Sequence, residues 1–257
     1  MPRAHRIVQP GLVWHLTHRC HRHDFLLKFA RDRGRYLTWL FQARKRFGIC
    51  VLDYMVTSNH VHLLVKDRGR GEISKAMQLI AGRTAQEFNQ RKGRHGAFWE
   101  DRYHATAIES DQHLHRCIAY IDLNMVRAGV VRHPQDWPFS GYREIQSPPQ
   151  RYAIIDLAEL TALCGFEAKT LLQCAHRHWI DDALQNRART REARWSNAVA
   201  LGTLHYVANV CTALGSRAKR RKITGFDNTY VLREPRSAYD VNFRYENGAL
   251  SDNRRPC

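Results

Sequence analysis

Fifteen histidines are spread over 257 residues, and four His-x-His pairs occur, at 21/23, 60/62, 113/115 and 176/178. About one such pair is expected from composition alone, so spacing by itself assigns nothing. Secondary structure separates them. Residues i and i+2 share a face on a strand but point apart on a helix. Only His60-Val61-His62 falls in a confident strand pattern, HVHLLVK, where both imidazoles face one way and Val61 the other. The plainer reading of such a pair is two histidines on a polar sheet face, and its context must decide.

That context is a helical pattern over 111–128. Leu114, Ile118, Ile121 and Met125 form an apolar stripe, and Tyr120 and Asn124 lie one turn apart beside it. Two imidazoles with the Asn124 carbonyl oxygen would suit a hard divalent ion and leave positions open for water or phosphate. A phosphodiester held there would be open to in-line attack by the Tyr120 hydroxyl, giving a phosphotyrosyl intermediate. Such a tyrosine also needs a base, a metal or a cation to favour its phenolate. The sequence identifies none of these, and a tyrosine on a helix is most often simply packed.

The elements that must hold these residues follow from periodicity. Residues 12–17 (LVWHLT) read as a strand and 25–47 as a helix with a break near Gly34. Residues 49–56 and 60–66 read as two strands joined by Thr57-Ser58-Asn59. A helix over 73–92, a strand over 103–109 and the helix over 111–128 complete the series. The order is βαββαβ plus a helix, which predicts an α+β, ferredoxin-like sandwich with an antiparallel sheet. Ser147-Pro148-Pro149-Gln150 marks a boundary. A catalytic domain over 1–147 is therefore expected, followed by a basic, mainly α-helical C-terminal extension over 151–257. Its helices are read at 156–163, 169–184 and 198–214, with an irregular tail from about 219.

Lys and Arg number 41 against 24 Asp and Glu, a formal charge of +17, so the natural partner is a polyanion. Arg44, Lys45, Arg46, Arg83, Arg91, Lys92, Arg94 and Arg127 are the candidate nucleic-acid contacts of the catalytic domain. Denser runs at 187–194 and 217–222 would suit the stem of a folded hairpin. Seven cysteines form no CxxC pair, and no stretch nears the roughly 20 apolar residues of a membrane span. A soluble cytoplasmic protein with no membrane partner and no small organic cofactor is expected.

Three segments then take on a joint meaning: 54–62 (YMVTSNHVH), 98–104 (FWEDRYH) and 120–130 (YIDLNMVRAGV). Together they resemble the REP-associated tyrosine transposases and their IS200-like relatives, over about residues 10–145. The resemblance implies an HUH nuclease domain in which His60, His62 and Asn124 hold Mg²⁺ or Mn²⁺ and Tyr120 is the nucleophile. It also implies single-stranded DNA near palindromic hairpins as substrate and a 5′-phosphotyrosine intermediate. Met125 stands where relatives often have proline, and Cys20 where they often have glycine. A monomer is expected over a homodimer.

Two rival readings stay open: a phosphodiesterase in which water attacks, and a catalytically silent DNA- or RNA-binding regulator on the same fold. Lesser candidates are a zinc site among His18, Cys20, His21, His23 and Asp24, carboxylates of Trp99-Glu100-Asp101-Arg102 near the metal, and His104 as a supporting group.

Overall fold

Strand β1 (Val13–Arg19) is buried along almost its whole length. Its alternation therefore separates two covered faces rather than core from solvent: Trp14, Leu16 and His18 on one, His15, Thr17 and Arg19 on the other. The computed structural model describes residues 10–185, 192, 194–218, 221–226 and 228–233.

Helix α1 (Ala30–Phe47) runs unbroken through Gly34 and begins later than its periodicity suggests. The preceding residues are held away from a helix, where the Leu27 N–H donates to the Ser58 carbonyl at 2.9 Å. Gly48, at φ 68°, closes α1 in the left-handed region, a conformation glycine adopts without steric cost, and turns the chain into β2 (Cys50–Val56). Strand β3 (His60–Lys66) returns antiparallel to β2 and pairs on its other side with β1. Thr57 pins the hairpin, because its Oγ1 accepts from the His60 N–H at 3.0 Å.

Helix α2 (Glu72–Lys92) packs along α1, and β4 (His104–Ile108) lies antiparallel to β1. The first four strands thus stand in the order β2-β3-β1-β4, following a β1-α1-β2-β3-α2-β4 chain order. His18 stacks on Trp99 at 3.9 Å, while the Trp99 ring meets Tyr36 of α1 and its Nε1–H donates to the Ala81 carbonyl of α2. The α1–α2 layer therefore covers the His18 face of β1. Helix α3 (Gln112–Asp122) packs against β2 and β4 and buries Leu114, Cys117, Ile118 and Ile121 completely. The chain breaks at Leu123 (φ −77°, ψ 2°) before the short α4 (Asn124–Arg127), so the predicted single helix is two segments.

Helix α5 (Gly141–Gln146) comes just before the 147–150 stretch, and α6 (Leu157–Leu163), α7 (Lys169–Gln185) and α8 (Arg194–Asn197) follow it. Strand β5 (Ala198–Gly202), α9 (Leu204–Leu214), β6 (Lys222–Phe226) and β7 (Thr229–Arg233) follow. Helix α7 packs on α3, with His176 Nε2 2.7 Å from a carboxylate oxygen of Asp122 and both side chains buried.

Two expectations for this half are corrected. The stretch 198–214 is a strand and then a helix, because β5 pairs parallel with β4 and Thr203 starts α9 afresh. The Thr203 N–H and hydroxyl both donate to the Glu109 carboxylate, and its Oγ1 accepts from the Tyr206 N–H. Sheet pairing overrides the helix propensity of an alanine-containing run. The region after 219 is also not wholly irregular: β6 and β7 form a hairpin turned at Asn228, φ 56°. Among the described residues the sheet accordingly has seven strands, in the order β2-β3-β1-β4-β5-β7-β6, and only the β4–β5 pair of neighbours is parallel. Among the described residues no helix is long and apolar enough to cross a membrane, and the six described cysteines are all free.

Candidate active site

Register brings the first histidines together. In the β1–β3 ladder His62 lies opposite Thr17 and His60 opposite Arg19, which puts His60 and His62 on the sheet face that carries His15. The His60 and His62 rings are 4.9 Å apart and nearly perpendicular.

A chain of hydrogen bonds fixes which nitrogen of His62 carries its proton. His15 Nδ1 lies 2.8 Å from the Trp195 carbonyl, which can only accept, so His15 donates there. Burial above all pushes His15 down to about 4, which keeps it neutral and leaves its Nε2 as an acceptor. His62 Nδ1, 2.9 Å away, therefore donates to His15 Nε2, and the lone pair of His62 resides on Nε2. Burial, then the neighbouring His60 and His15, hold His62 well below the ordinary histidine range. His60 is oriented in the same way, with Nδ1 2.7 Å from the Asn59 side-chain oxygen and 3.0 Å from Thr57 Oγ1.

Tyr120 and Asn124 meet these imidazoles from the helix side. The Asn124 amide nitrogen is 3.1 Å from His62 Nε2. The Tyr120 ring stands edge-on to His62 at 5.9 Å and to His15 at 6.1 Å, and it stacks on Trp195 at 5.9 Å. Its hydroxyl is 3.2 Å from Ser196 Oγ. Arg127, one turn beyond the Leu123 break, donates to the Tyr120 carbonyl and sets its guanidinium 4.3 Å from the centre of the Tyr120 ring. His60, His62, Tyr120, Asn124, Arg127 and Ser196 line a cleft of about 260 Å³ that also takes in Arg19 and His23 and, among the described residues, no carboxylate. Cationic, acid-free lining favours an anionic occupant.

The other predicted contacts are elsewhere. Arg44, Lys45, Arg46, Arg83, Arg91 and Lys92 lie on α1 and α2, and Arg94 just beyond α2, in the layer on the opposite face of the sheet. Several have partners of their own. Arg44 donates to the Ala153 carbonyl, Arg91 pairs with Asp32, and Arg94 donates to the Asn89 side chain and the Ala97 carbonyl. Lys45 and Arg46 lie 5.9 and 5.3 Å from the ring centres of Phe41 and Phe47. Arg83 and Lys92 lie 4.7 and 5.5 Å from those of Trp39 and Phe29. Of the eight, only Arg127 enters the cleft. The basic run at 187–194 falls largely outside the described residues, as do residues 219 and 220 of the run at 217–222.

The lesser candidates do not assemble a second centre. Cys20 is buried and its thiol pushed up to about 12 by burial, and His18 is engaged with Trp99 and the Asp101 carbonyl. Glu100 faces His23 at 3.6 Å, and the Asp101 carboxylate accepts from the Arg102 N–H. His104 bonds the Ala198 carbonyl and ties β4 to β5. His113 and His115 diverge as expected on a helix, toward Glu109 and Trp179 respectively. Sequence reasoning passed over His15, Trp195 and Ser196. His15 was within reach, since alternate residues of a strand paired with β3 must face His62; the other two come from 180 and 76 residues beyond their partners.

Residues 9–124 match the model of the family described as transposase IS200-like. No curated protein matches the chain. A solved structure described as a REP-associated tyrosine transposase bound to a REP hairpin is similar at 20% identity and a TM-score of 0.47, covering 61% of this chain and 94% of that one. The matched stretch, from residue 9 to Asn124, is the one that carries both histidines, Tyr120 and the amide, and it is similar to IS200-like transposases.

Proposed function

We propose that the protein is a metal-dependent single-stranded DNA endonuclease and strand transferase acting beside palindromic hairpins, with Tyr120 as nucleophile and Mg²⁺ or Mn²⁺ held by His60, His62 and Asn124. The observation that carries this reading is the convergence of one tyrosine, two oriented imidazoles and an amide on a cleft lined by cations. Two imidazoles and an amide oxygen form a neutral donor set, which leaves a hard divalent cation its full charge and open positions for phosphate oxygens. When bound, such a cation polarises the phosphodiester.

The remaining work belongs to the chain itself. Arg19 and Arg127 offer charge-assisted hydrogen bonds to the non-bridging phosphate oxygens. The Tyr120 oxygen attacks phosphorus, forming the O–P bond of a 5′-phosphotyrosine while the bond to the 3′ oxygen breaks. Ser196 Oγ, 3.2 Å from the phenol, is the first acceptor for the departing proton, and the leaving 3′ oxygen gains one. Attack by another 3′-hydroxyl on the phosphotyrosine reverses these bond changes and joins strands. The preference for hairpins rests on the motif resemblance, and the cations of the α1–α2 layer are proposed contacts for DNA leading away from the cleft.

Incubating end-labelled hairpin DNA carrying a single-stranded flank with the protein and Mn²⁺, then resolving it on a denaturing gel, tests the proposal. A covalent protein–DNA band that a chelator removes is expected. Binding of several such hairpins without any adduct overturns it.

His15 is assigned a positioning role in this scheme. His15→Phe keeps a flat ring but removes the acceptor for His62 Nδ1–H and the donor to Trp195. Calorimetric titration with Mn²⁺ should show affinity lower by about 10–100-fold, the usual cost of losing a partner behind a metal-binding histidine. Unchanged affinity in a folded variant would remove that role.

A further inference from the structure

A second cavity, of about 460 Å³, adjoins the cleft, and Tyr120 and Arg127 line both. We propose that it seats the base and phosphate of one nucleotide adjoining the phosphodiester that Tyr120 attacks, an inference that rests on the nuclease reading above. Its size falls in the range of about 300–1,000 Å³ typical of pockets that enclose small organic groups.

The lining suits a nucleotide in three ways. Flat rings wall it: Trp179 of α7, itself backed by His115 at 4.1 Å and 17°, and Trp195, on which Tyr120 stacks. Small residues, Ala119 of α3 and Ala183 of α7, leave room between them. Cations supply the phosphate side. Arg116 stands on α3 one turn before Tyr120 and is exposed, with no hydrogen bond or ion pair among the described residues. Of the two acids present, Glu192 accepts from Arg194 at 2.6 Å and from Trp195 Nε1–H at 3.0 Å, and Asp182 is exposed. A base stacked on Trp179 with its phosphate near Arg116 matches this arrangement. Sharing Tyr120 and Arg127 makes the cavity the natural seat for the next unit of a strand already in the cleft. None of the base-facing residues belongs to the metal-ligand set.

The test reads binding in chelator, without chemistry. Fluorescence anisotropy is measured on a hairpin with a single-stranded flank in which each flank nucleotide in turn is replaced by an abasic site. For wild type, one position should weaken binding about tenfold, within the usual range for one stacked base. In Trp179→Ala that penalty should fall below about twofold, and Trp179→Phe, which keeps a flat ring, should restore it. Arg116→Gln, a surface change, should lower the slope of log Kd against log salt by about 0.7. No penalised position in wild type, or a full penalty retained in a cooperatively melting Trp179→Ala, overturns the proposal. If Trp179→Ala does not fold, an unchanged salt slope in Arg116→Gln together with no abasic penalty at any position in Trp179→Phe does so instead. The adduct gel is separate: its failure removes the nuclease reading while the abasic scan still reports on the cavity.

Discussion

Tyr120→Phe is expected to bind hairpin DNA with Mn²⁺ as well as wild type does and to form no covalent adduct. The change deletes one hydroxyl whose hydrogen-bond partner is Ser196 Oγ, and it leaves the ring against His62, His15 and Trp195. Replacing a partly satisfied hydroxyl costs on the order of 1 kcal/mol of stability, a small part of the roughly 5–15 kcal/mol that holds a typical domain. Removal of a covalent nucleophile is felt on a different scale, about 10⁴-fold or more in rate. Adduct formation should therefore vanish from a denaturing gel while the thermal melt moves by only a few degrees. Cleavage that persists at wild-type rate without an adduct would mean that water is the nucleophile and that Tyr120 merely packs, which is the phosphodiesterase alternative.

The second large effect is expected from the imidazoles. His60→Ala with His62→Ala should abolish both Mn²⁺ binding and adduct formation, a loss beyond the 10–100-fold assigned to His15 because the donors themselves are gone. Single-stranded DNA affinity measured in chelator should stay within about twofold of wild type, since the cations of the cleft are untouched. The double variant also leaves His15 Nε2 without its donor in a fully buried position, so some loss of stability is expected alongside. A variant that melts cooperatively, binds DNA and still forms the adduct would remove both histidines from the chemistry. Metal-independent binding with no cleavage by wild type, over several hairpins, would instead favour the regulator.

What the sequence made readable was local. Period-two and period-3.6 patterns located β1 to β4, α1 to α3 and the stripe of Leu114, Ile118, Ile121 and Met125, all of them buried. Strand geometry alone singled out His60 and His62 from four similar pairs, and a one-turn spacing linked Tyr120 with Asn124. Distant pairing was not readable. Ala198-Val199-Ala200-Leu201 satisfies a helix as readily as a strand, and only pairing with β4 and β7 decides. The Asp227-Asn228 link between two β-prone runs was a hairpin signal that the surrounding basic run obscured. Charge was legible as a sum but not as a direction. Seven of the eight predicted contacts project from the helical layer across the sheet from the cleft, because composition says nothing about which face a helix turns outward.

The carbonyl that sets the His15 tautomer belongs to Trp195, and the Tyr120 hydroxyl finds its partner in Ser196. Protein synthesis proceeds from the amino end, so a growing chain presents His60, His62, Tyr120 and Asn124 well before either of these residues exists. During that interval the His15–His62 pair lacks the carbonyl that fixes its proton arrangement, and the phenol lacks the Ser196 hydroxyl. A ribosome-bound intermediate would thus carry the two histidines, the tyrosine and the amide without all of the groups that orient them. The order of translation thereby delays completion of the cleft until the second half of the polypeptide has folded back onto the first.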